Sequence, residues 1–137
     1  KSKKSFLHDC NQKNKLAQTY LENLEISIMN HYINVPGLNR NLGYKNLIAI
    51  SSNNQIPLIC KEREKLLSFL VKNNIDIAAQ HIRNLTTIDI YSSFEKEKIY
   101  KSDIVSKSLI LLPCYPGFPP SEAKKISKSI NRFYFKK

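Results

Sequence analysis

Apolar side chains recur at helical spacing in three stretches of the chain and cluster into short blocks between them. From Lys15 onward, Leu16, Tyr20, Leu24 and Ile28 stand four residues apart, with Ala17 and Leu21 beside them. This predicts an amphipathic helix. Val35-Pro36-Gly37 ends it, because proline cannot continue the hydrogen-bond ladder. Residues 38–46, rich in Asn and Gly, read as loop. Asn46–Ser51 (NLIAIS) and Ile56–Lys61 (IPLICK) are short, apolar and β-branched, and turn chemistry at Ser52-Asn53-Asn54 separates them. Both are predicted strands that could pair as a hairpin, with Pro57 placing the second at an edge or bulge. Glu62–Asn73 is the clearest helix, with Leu66, Leu67, Leu70 and Val71 on one face. Burying each such side chain contributes roughly 1.5–3 kcal/mol before conformational entropy is charged. Ile75–Gln80 alternates like a strand, and residues 81–100 read as a long loop with one helical turn. Asp103–Lys107 suggests another short turn of helix and Ser108–Leu112 a buried strand. Pro113–Pro119 is loop. A last helix starts near Pro120, where proline sacrifices no intrahelical bond, and presents Ala123, Ile126, Ile130 and Phe133 on one face.

Strands mixed with helices, without a strict βαβ repeat, predict an α+β fold: a small mixed or antiparallel sheet with helices packed on one face. At 137 residues the chain suits one domain able to bury a core. Residues 1–14 are polar and basic and are expected to form a loose tail or connector ahead of a domain over 15–137.

Charge sits at the two ends. Lys1, Lys3, Lys4, Lys13 and Lys15 face one acid, Asp9; Lys124, Lys125, Lys128, Arg132, Lys136 and Lys137 face one acid, Glu122. The formal net charge of +11 invites a contact with nucleic acid or another acidic surface, although a solvated surface encoded by AT-biased codons explains it as well. The three cysteines, Cys10, Cys60 and Cys114, are widely spaced and form no CxxC pair, which fits buried thiols in a reducing, cytoplasmic setting. No apolar run approaches the ~18 residues of a membrane span. Lys-Ser-Lys-Lys at the start is followed by no secretory core, and with no initial methionine the reading is of a fragment or a processed product.

Four segments carry a resemblance. Leu16-Ala17-Gln18-Thr19-Tyr20-Leu21-Glu22-Asn23-Leu24 fits an Ala-x-x-Tyr-x-x-x-Leu helix. Arg63-Glu64-Lys65-Leu66-Leu67-Ser68-Phe69-Leu70 followed by Asn74-Ile75 fits Arg-x-x-Leu-x-x-x-Leu-x-x-x-Gly-Ile, with Asn74 in place of glycine. His81-Ile82-Arg83 with Tyr91 fits a loop bearing a His, an aromatic residue and an Arg. Leu112-Pro113-Cys114-Tyr115-Pro116 fits Leu-Pro-Leu-x-Pro ahead of a final helix. In this order they resemble the C-terminal small domain of the DegT-type nucleotide-sugar aminotransferases, pyridoxal-phosphate enzymes of aminotransferase fold type I.

The resemblance implies that the first helix joins two domains. It also implies that the intact enzyme, a homodimer, moves an amino group from glutamate to a nucleotide-linked keto-sugar. By position His81 and Arg83 become the candidate substrate contacts. Arg83 could hold a carboxylate or phosphate by two parallel bonds, and His81 could donate to the same anion or to a sugar hydroxyl. Each also has a plain structural role open to it, as a loop cap or a surface charge, and Tyr91 reads as a packed loop aromatic. An extra residue in the His81 loop, and Thr86 where some members carry a second His, depart from the family.

The lysine that holds the cofactor lies in the family's large domain, near a Gly-Glu-Gly-Gly stretch. Here Gly37, Gly43 and Gly117 are the only glycines and none adjoins another. The expectation is a chain that lacks the large domain, binds no pyridoxal phosphate alone and does not transaminate alone. The rival readings are a basic binding module, which no helix-turn-helix spacing, zinc pattern or aromatic RNA-binding stretch supports, and a stand-alone interaction domain that kept the fold without the chemistry.

Overall fold

A computed structural model describes residues 2–36, 55–77, 88 and 100–136. The described elements are α1 (Lys3–Asn23), α2 (Ile26–His31), β1 (Ile33–Asn34), β2 (Gln55–Cys60), α3 (Arg63–Lys72), α4 (Tyr100–Ser108), β3 (Leu109–Pro113) and α5 (Pro120–Phe135). The fold is α+β, as the alternation of patterns predicts. The three strands form an antiparallel sheet in the order β1-β2-β3.

Pairing sets one face of this sheet. Ile33 lies opposite Cys60, Leu58 opposite Ile110, and Ile56 opposite Leu112, and all six are buried. The alternate residues Pro57, Ile59, Leu109 and Leu111 are only half-buried, as the period of two requires. The inner face shares one core with Leu16, Tyr20 and Leu21 of α1, Leu66 and Leu70 of α3, and Ala123, Ile126, Ile130 and Tyr134 of α5.

Pro57 stands in the strand at the centre of the sheet, not at its edge. The position tolerates a missing N–H because β1 pairs only with Ile59 and Cys60; among the described residues, Pro57 pairs with β3 alone. The partner strand expected at Asn46–Ser51 lies outside the described residues.

Five expectations change. The loose tail over residues 1–14 is helical from Lys3, capped by the Ser2 hydroxyl, which accepts from the Ser5 amide at 3.3 Å. The segment is polar because most of this part of α1 is exposed; Cys10 is the buried residue among these. The single helix expected from Lys15 to the Val35-Pro36 stop breaks at Leu24 and Glu25, whose ψ angles of 130° and 135° are extended. Val71 is 61% exposed, because α3 turns Leu66 and Leu70 inward, with Leu67 and Phe69 flanking them. The short turn at Asp103–Lys107 is a helix of nine residues running straight into β3. Of the strand expected over Ile75–Gln80, residues 75–77 form no strand, although Ile75 and Ile77 are buried. The Ile75 amide instead closes the end of α3, and residues 78–80 lie outside the described residues.

That end of α3 explains the asparagine in the Gly-Ile position. The Ile75 amide donates to the Leu70 carbonyl (3.0 Å) and the Asn74 amide to that of Val71 (3.0 Å), the paired bonds of a Schellman cap. The motif needs a left-handed residue, and Asn74 has φ 56°. Asparagine is among the few non-glycine residues that adopt it readily. The buried Leu70 and Ile75 supply the apolar contact that accompanies such caps.

The Pro-rich stretch after β3 turns at Gly117, with φ 89°, and α5 begins at Pro120, where proline has no intrahelical bond to lose.

Asn74→Val is expected to lower stability by about 1–2 kcal/mol, whereas Asn74→Gly keeps or raises it. Urea denaturation of both variants checks this; a harmless valine or an equally costly glycine would contradict the left-handed cap.

Candidate functional site

Residues His81 and Arg83 lie outside the described residues, as do Thr86 and Tyr91. The structure therefore neither brings the two candidate contacts together nor separates them.

The described residues build something else first, a polar join between helices. On α5, Ser127 and Asn131 are buried among the apolar positions Ala123, Ile126, Ile130 and Tyr134. The Ser127 hydroxyl donates to the Tyr20 carbonyl at 3.0 Å. The Asn131 amide donates to the Asn23 carbonyl at 2.8 Å, and its oxygen accepts from the Glu25 amide at 3.1 Å. Tyr20 reaches the other way, donating its hydroxyl to the Pro113 carbonyl at 3.0 Å. The pattern reading passed over Ser127 and Asn131 because they are polar. Their spacing from Ala123, four and eight residues on, was the available signal.

Beside the β1 edge lies a shallow groove of about 360 Å³, lined in part by Asn30, His31, Tyr32, Asn34, Lys61 and Ser108. Tyr32 is its floor: its ring stacks on Tyr134 (4.8 Å between centroids, 21° between planes), and the Lys61 ammonium stands 5.8 Å from its centre. The Tyr134 hydroxyl donates to the Lys61 carbonyl at 2.6 Å and anchors the base of the stack. A cation, an imidazole, two amides and a hydroxyl around an aromatic ring can hold a polar ligand. They include no carboxylate and no activated nucleophile. These residues come from segments some thirty and seventy positions apart, so no local motif announces them.

Nucleophilic chemistry is also missing from the thiols. All three cysteines are buried and free. Burial pushes the Cys60 thiol up to about 12, only partly offset by its hydrogen bond with Tyr134. The Cys114 thiol is likewise raised by burial, and it donates to the Lys13 carbonyl at 3.3 Å. A thiol held neutral is inert as a nucleophile. No group of three metal-binding side chains occurs among the described residues.

A second shallow depression, about 380 Å³, runs along the outer face of α5 between Lys124, Lys125, Lys128 and Arg132. Arg132 bonds the Asn73 side chain and lies over the Phe69 ring at 5.3 Å, and Lys125 approaches Glu122 at 3.5 Å. These cations therefore serve an exposed helix face. No helix among the described residues is long and apolar enough to cross a membrane.

Comparison with known proteins adds what this geometry lacks. No family model matches the chain, and no curated protein does. Solved structures do match. A DegT DnrJ EryC1 StrS aminotransferase from Brucella abortus superposes with a TM-score of 0.69 at 18% identity, over 92% of this chain and 31% of that one. The fold is that of part of a DegT-type aminotransferase. DesV from S. venezuelae, solved in complex with a ketimine intermediate, superposes with a TM-score of 0.71 at 14% identity, over 92% of this chain and 32% of its own. The chain thus spans about a third of the length of these two aminotransferases.

Among the described residues, the motif positions that carried the resemblance have structural roles in this fold. Ala17, Tyr20 and Leu24 pack α1, and Leu66, Leu70 and Ile75 pack α3. Arg63 donates to the Ser106 carbonyl at 2.5 Å, tying α3 to α4. The Pro113 carbonyl receives the Tyr20 hydroxyl.

Burial also fixes a pH dependence. The folded Cys60 holds its proton above the ordinary thiol value of 9.0, and burial raises the Tyr20 and Tyr134 phenols above 10.0. A raised folded value contributes stability that is complete below the unfolded value and is lost as pH rises toward the folded one. The urea midpoint is therefore expected to hold from pH 7 to about pH 9 and then fall continuously toward pH 12. Below pH 9 the cysteines should resist alkylation until the chain unfolds. Reaction of Cys60 in the native state at pH 8 would contradict its burial.

Proposed function

We propose that this chain is the C-terminal small domain of a pyridoxal-phosphate-dependent sugar aminotransferase, an enzyme that moves an amino group from glutamate to a nucleotide-linked keto-sugar. The observation that carries the reading is the overlap of 92% of the chain with about a third of two aminotransferases, at TM-scores of 0.69 and 0.71. The order of the sequence motifs supports the same assignment. Residues 1–14, helical from Lys3, form the connector to a large domain. The intact enzyme is a homodimer, in the cytoplasm.

Pyridoxal phosphate does not fit the described residues. A lysine that condenses with the cofactor aldehyde must be desolvated and faced by the cofactor's other partners. Every described lysine is exposed except Lys13, which is half-buried beside the Cys114 contact. No two glycines of the sequence adjoin to cradle a phosphate. The large domain supplies that chemistry, and the chain alone is inactive.

The role left to this domain is to place substrate. Arg83 would hold a carboxylate or phosphate oxygen pair, and His81 would donate to the same anion or to a sugar hydroxyl. In the intact protein that carries this chain, Arg83→Ala and His81→Ala are each expected to lower kcat/KM for the keto-sugar about tenfold or more, a loss of roughly 1.4 kcal/mol or above in transition-state binding. The isolated chain should retain no pyridoxal phosphate after dialysis and convert no keto-sugar. Turnover by the isolated chain, or unchanged kinetics in both variants, would contradict the assignment.

A further inference from the structure

A lysine on an open helix face needs no partner but water. Lys61 has another setting. It follows β2 at the rim of the groove beside β1, with its ammonium over the Tyr32 ring. Among the described residues no carboxylate pairs with that ammonium, and the next residue, Glu62, turns to Lys65 at 2.8 Å. None of the described residues that line the groove is an Asp or a Glu. A concave surface that gathers a cation and neutral donors without an acid favours an anion.

The backbone around the cation is fixed at three points. The Lys61 amide donates to the Tyr32 carbonyl at 2.9 Å, the Lys61 carbonyl receives the Tyr134 hydroxyl, and the Tyr32 amide donates to the Ile28 carbonyl at 2.8 Å. Tyr134, on which Tyr32 stacks, is a core residue. Glu62 has φ 55° and ψ 41°, a left-handed conformation that glutamate rarely takes. Backbone held in this way clusters at ligand sites. Here it turns the chain from β2 into α3 directly after Lys61. Donors on a fixed backbone lose less freedom when a ligand arrives.

The donors decide the ligand class. Lys61 supplies a point charge, and the His31 ring, edge-on to Tyr32 at 6.5 Å between centroids, supplies a separate N–H. Separate donors of this kind suit the several oxygens of a tetrahedral phosphate. A lone carboxylate is better held by the paired N–H groups of an arginine, and the lining has none. The amides of Asn30 and Asn34 and the Ser108 hydroxyl both donate and accept, as hydroxyl groups of a ligand require. A volume of about 360 Å³ lies at the small end of the range for small-molecule sites. We propose that this groove binds a small phosphate monoester that carries hydroxyl groups, with the phosphate on Lys61 and His31 and the hydroxyls on Asn30, Asn34 and Ser108. The claim stands on this chain's own side chains and not on the aminotransferase reading.

Titration of the 137-residue chain with ribose 5-phosphate, followed by amide NMR shifts, tests the claim. Saturable shifts are expected at residues 30–34, 61 and 108. Ribose alone should give none, and inorganic phosphate should move the same amides with an affinity about tenfold weaker or less. Lys61→Gln keeps the backbone bonds and should weaken ribose 5-phosphate binding by about tenfold or more, whereas Lys128→Gln on the outer face of α5 should leave it unchanged. Shifts that never saturate, that persist equally in Lys61→Gln, or that centre on Lys124, Lys125 and Lys128 would overturn the site. Equal affinity for inorganic phosphate would overturn the hydroxyl contacts, and equal binding of ribose alone the phosphate contacts. Neither cofactor nor keto-sugar enters the titration, so failure here is distinct from failure of the proposed function.

Discussion

The carboxamide of Asn131 holds α5 against the break between α1 and α2. Any chain that leaves a helix and re-enters another exposes peptide groups that no longer meet each other. In water they would find partners; beside a core they must find them in the protein. Asn131 is 8% exposed and lies opposite both groups. A buried, fully satisfied polar residue of this kind selects one register between two helices, because a shift by a single residue leaves both sides unbonded. Apolar packing between α1 and α5 could slide; the Ser127 and Asn131 bonds cannot.

The rest of the core follows from that register. With α5 fixed on α1, Tyr20 is placed to reach the end of β3, and Tyr134 to reach the Lys61 carbonyl beyond β2. Each strand of the central pair is therefore tied at one end to a helix by a phenol. Ile56, Leu58, Ile110 and Leu112 then close the space between sheet and helices. The sheet's other face keeps Pro57, Ile59, Leu109 and Leu111 only half-buried.

Much of this was legible from residue spacing. Leu16, Tyr20 and Leu21, Leu66 and Leu70, and Ala123, Ile126 and Ile130 are the buried stripes that a helical period predicts, and β2 and β3 lie within a residue of the apolar blocks. What escaped has physical reasons. The break at Leu24–Glu25 contains neither glycine nor proline, and both flanks stay apolar at helical spacing, so only a distant asparagine reveals it. Ser127 and Asn131 are passed over by a hydropathy pattern because it ignores partners. The start of α1 lacks an apolar stripe, yet a serine cap and continuity with the packed turns after it suffice for helix. At the level of function, the motifs of α1, α3 and the Leu112–Pro116 segment proved to encode caps, packing and helix ties, which is why they identify a fold more firmly than a substrate. His81 and Arg83, the residues to which chemistry was assigned, lie outside the described residues, so the substrate reading rests on the sequence resemblance alone.

The register of α1 on α5 depends on one buried amide. Equilibrium urea unfolding of Asn131→Ala addresses this most directly. Truncation leaves the Glu25 donor and the Asn23 acceptor without partners near the core, so the loss is expected to be about 2–4 kcal/mol, far above that of an ordinary surface asparagine. A loss below about 0.5 kcal/mol, with the transition otherwise unchanged, would contradict the view that this residue holds the two helices in register.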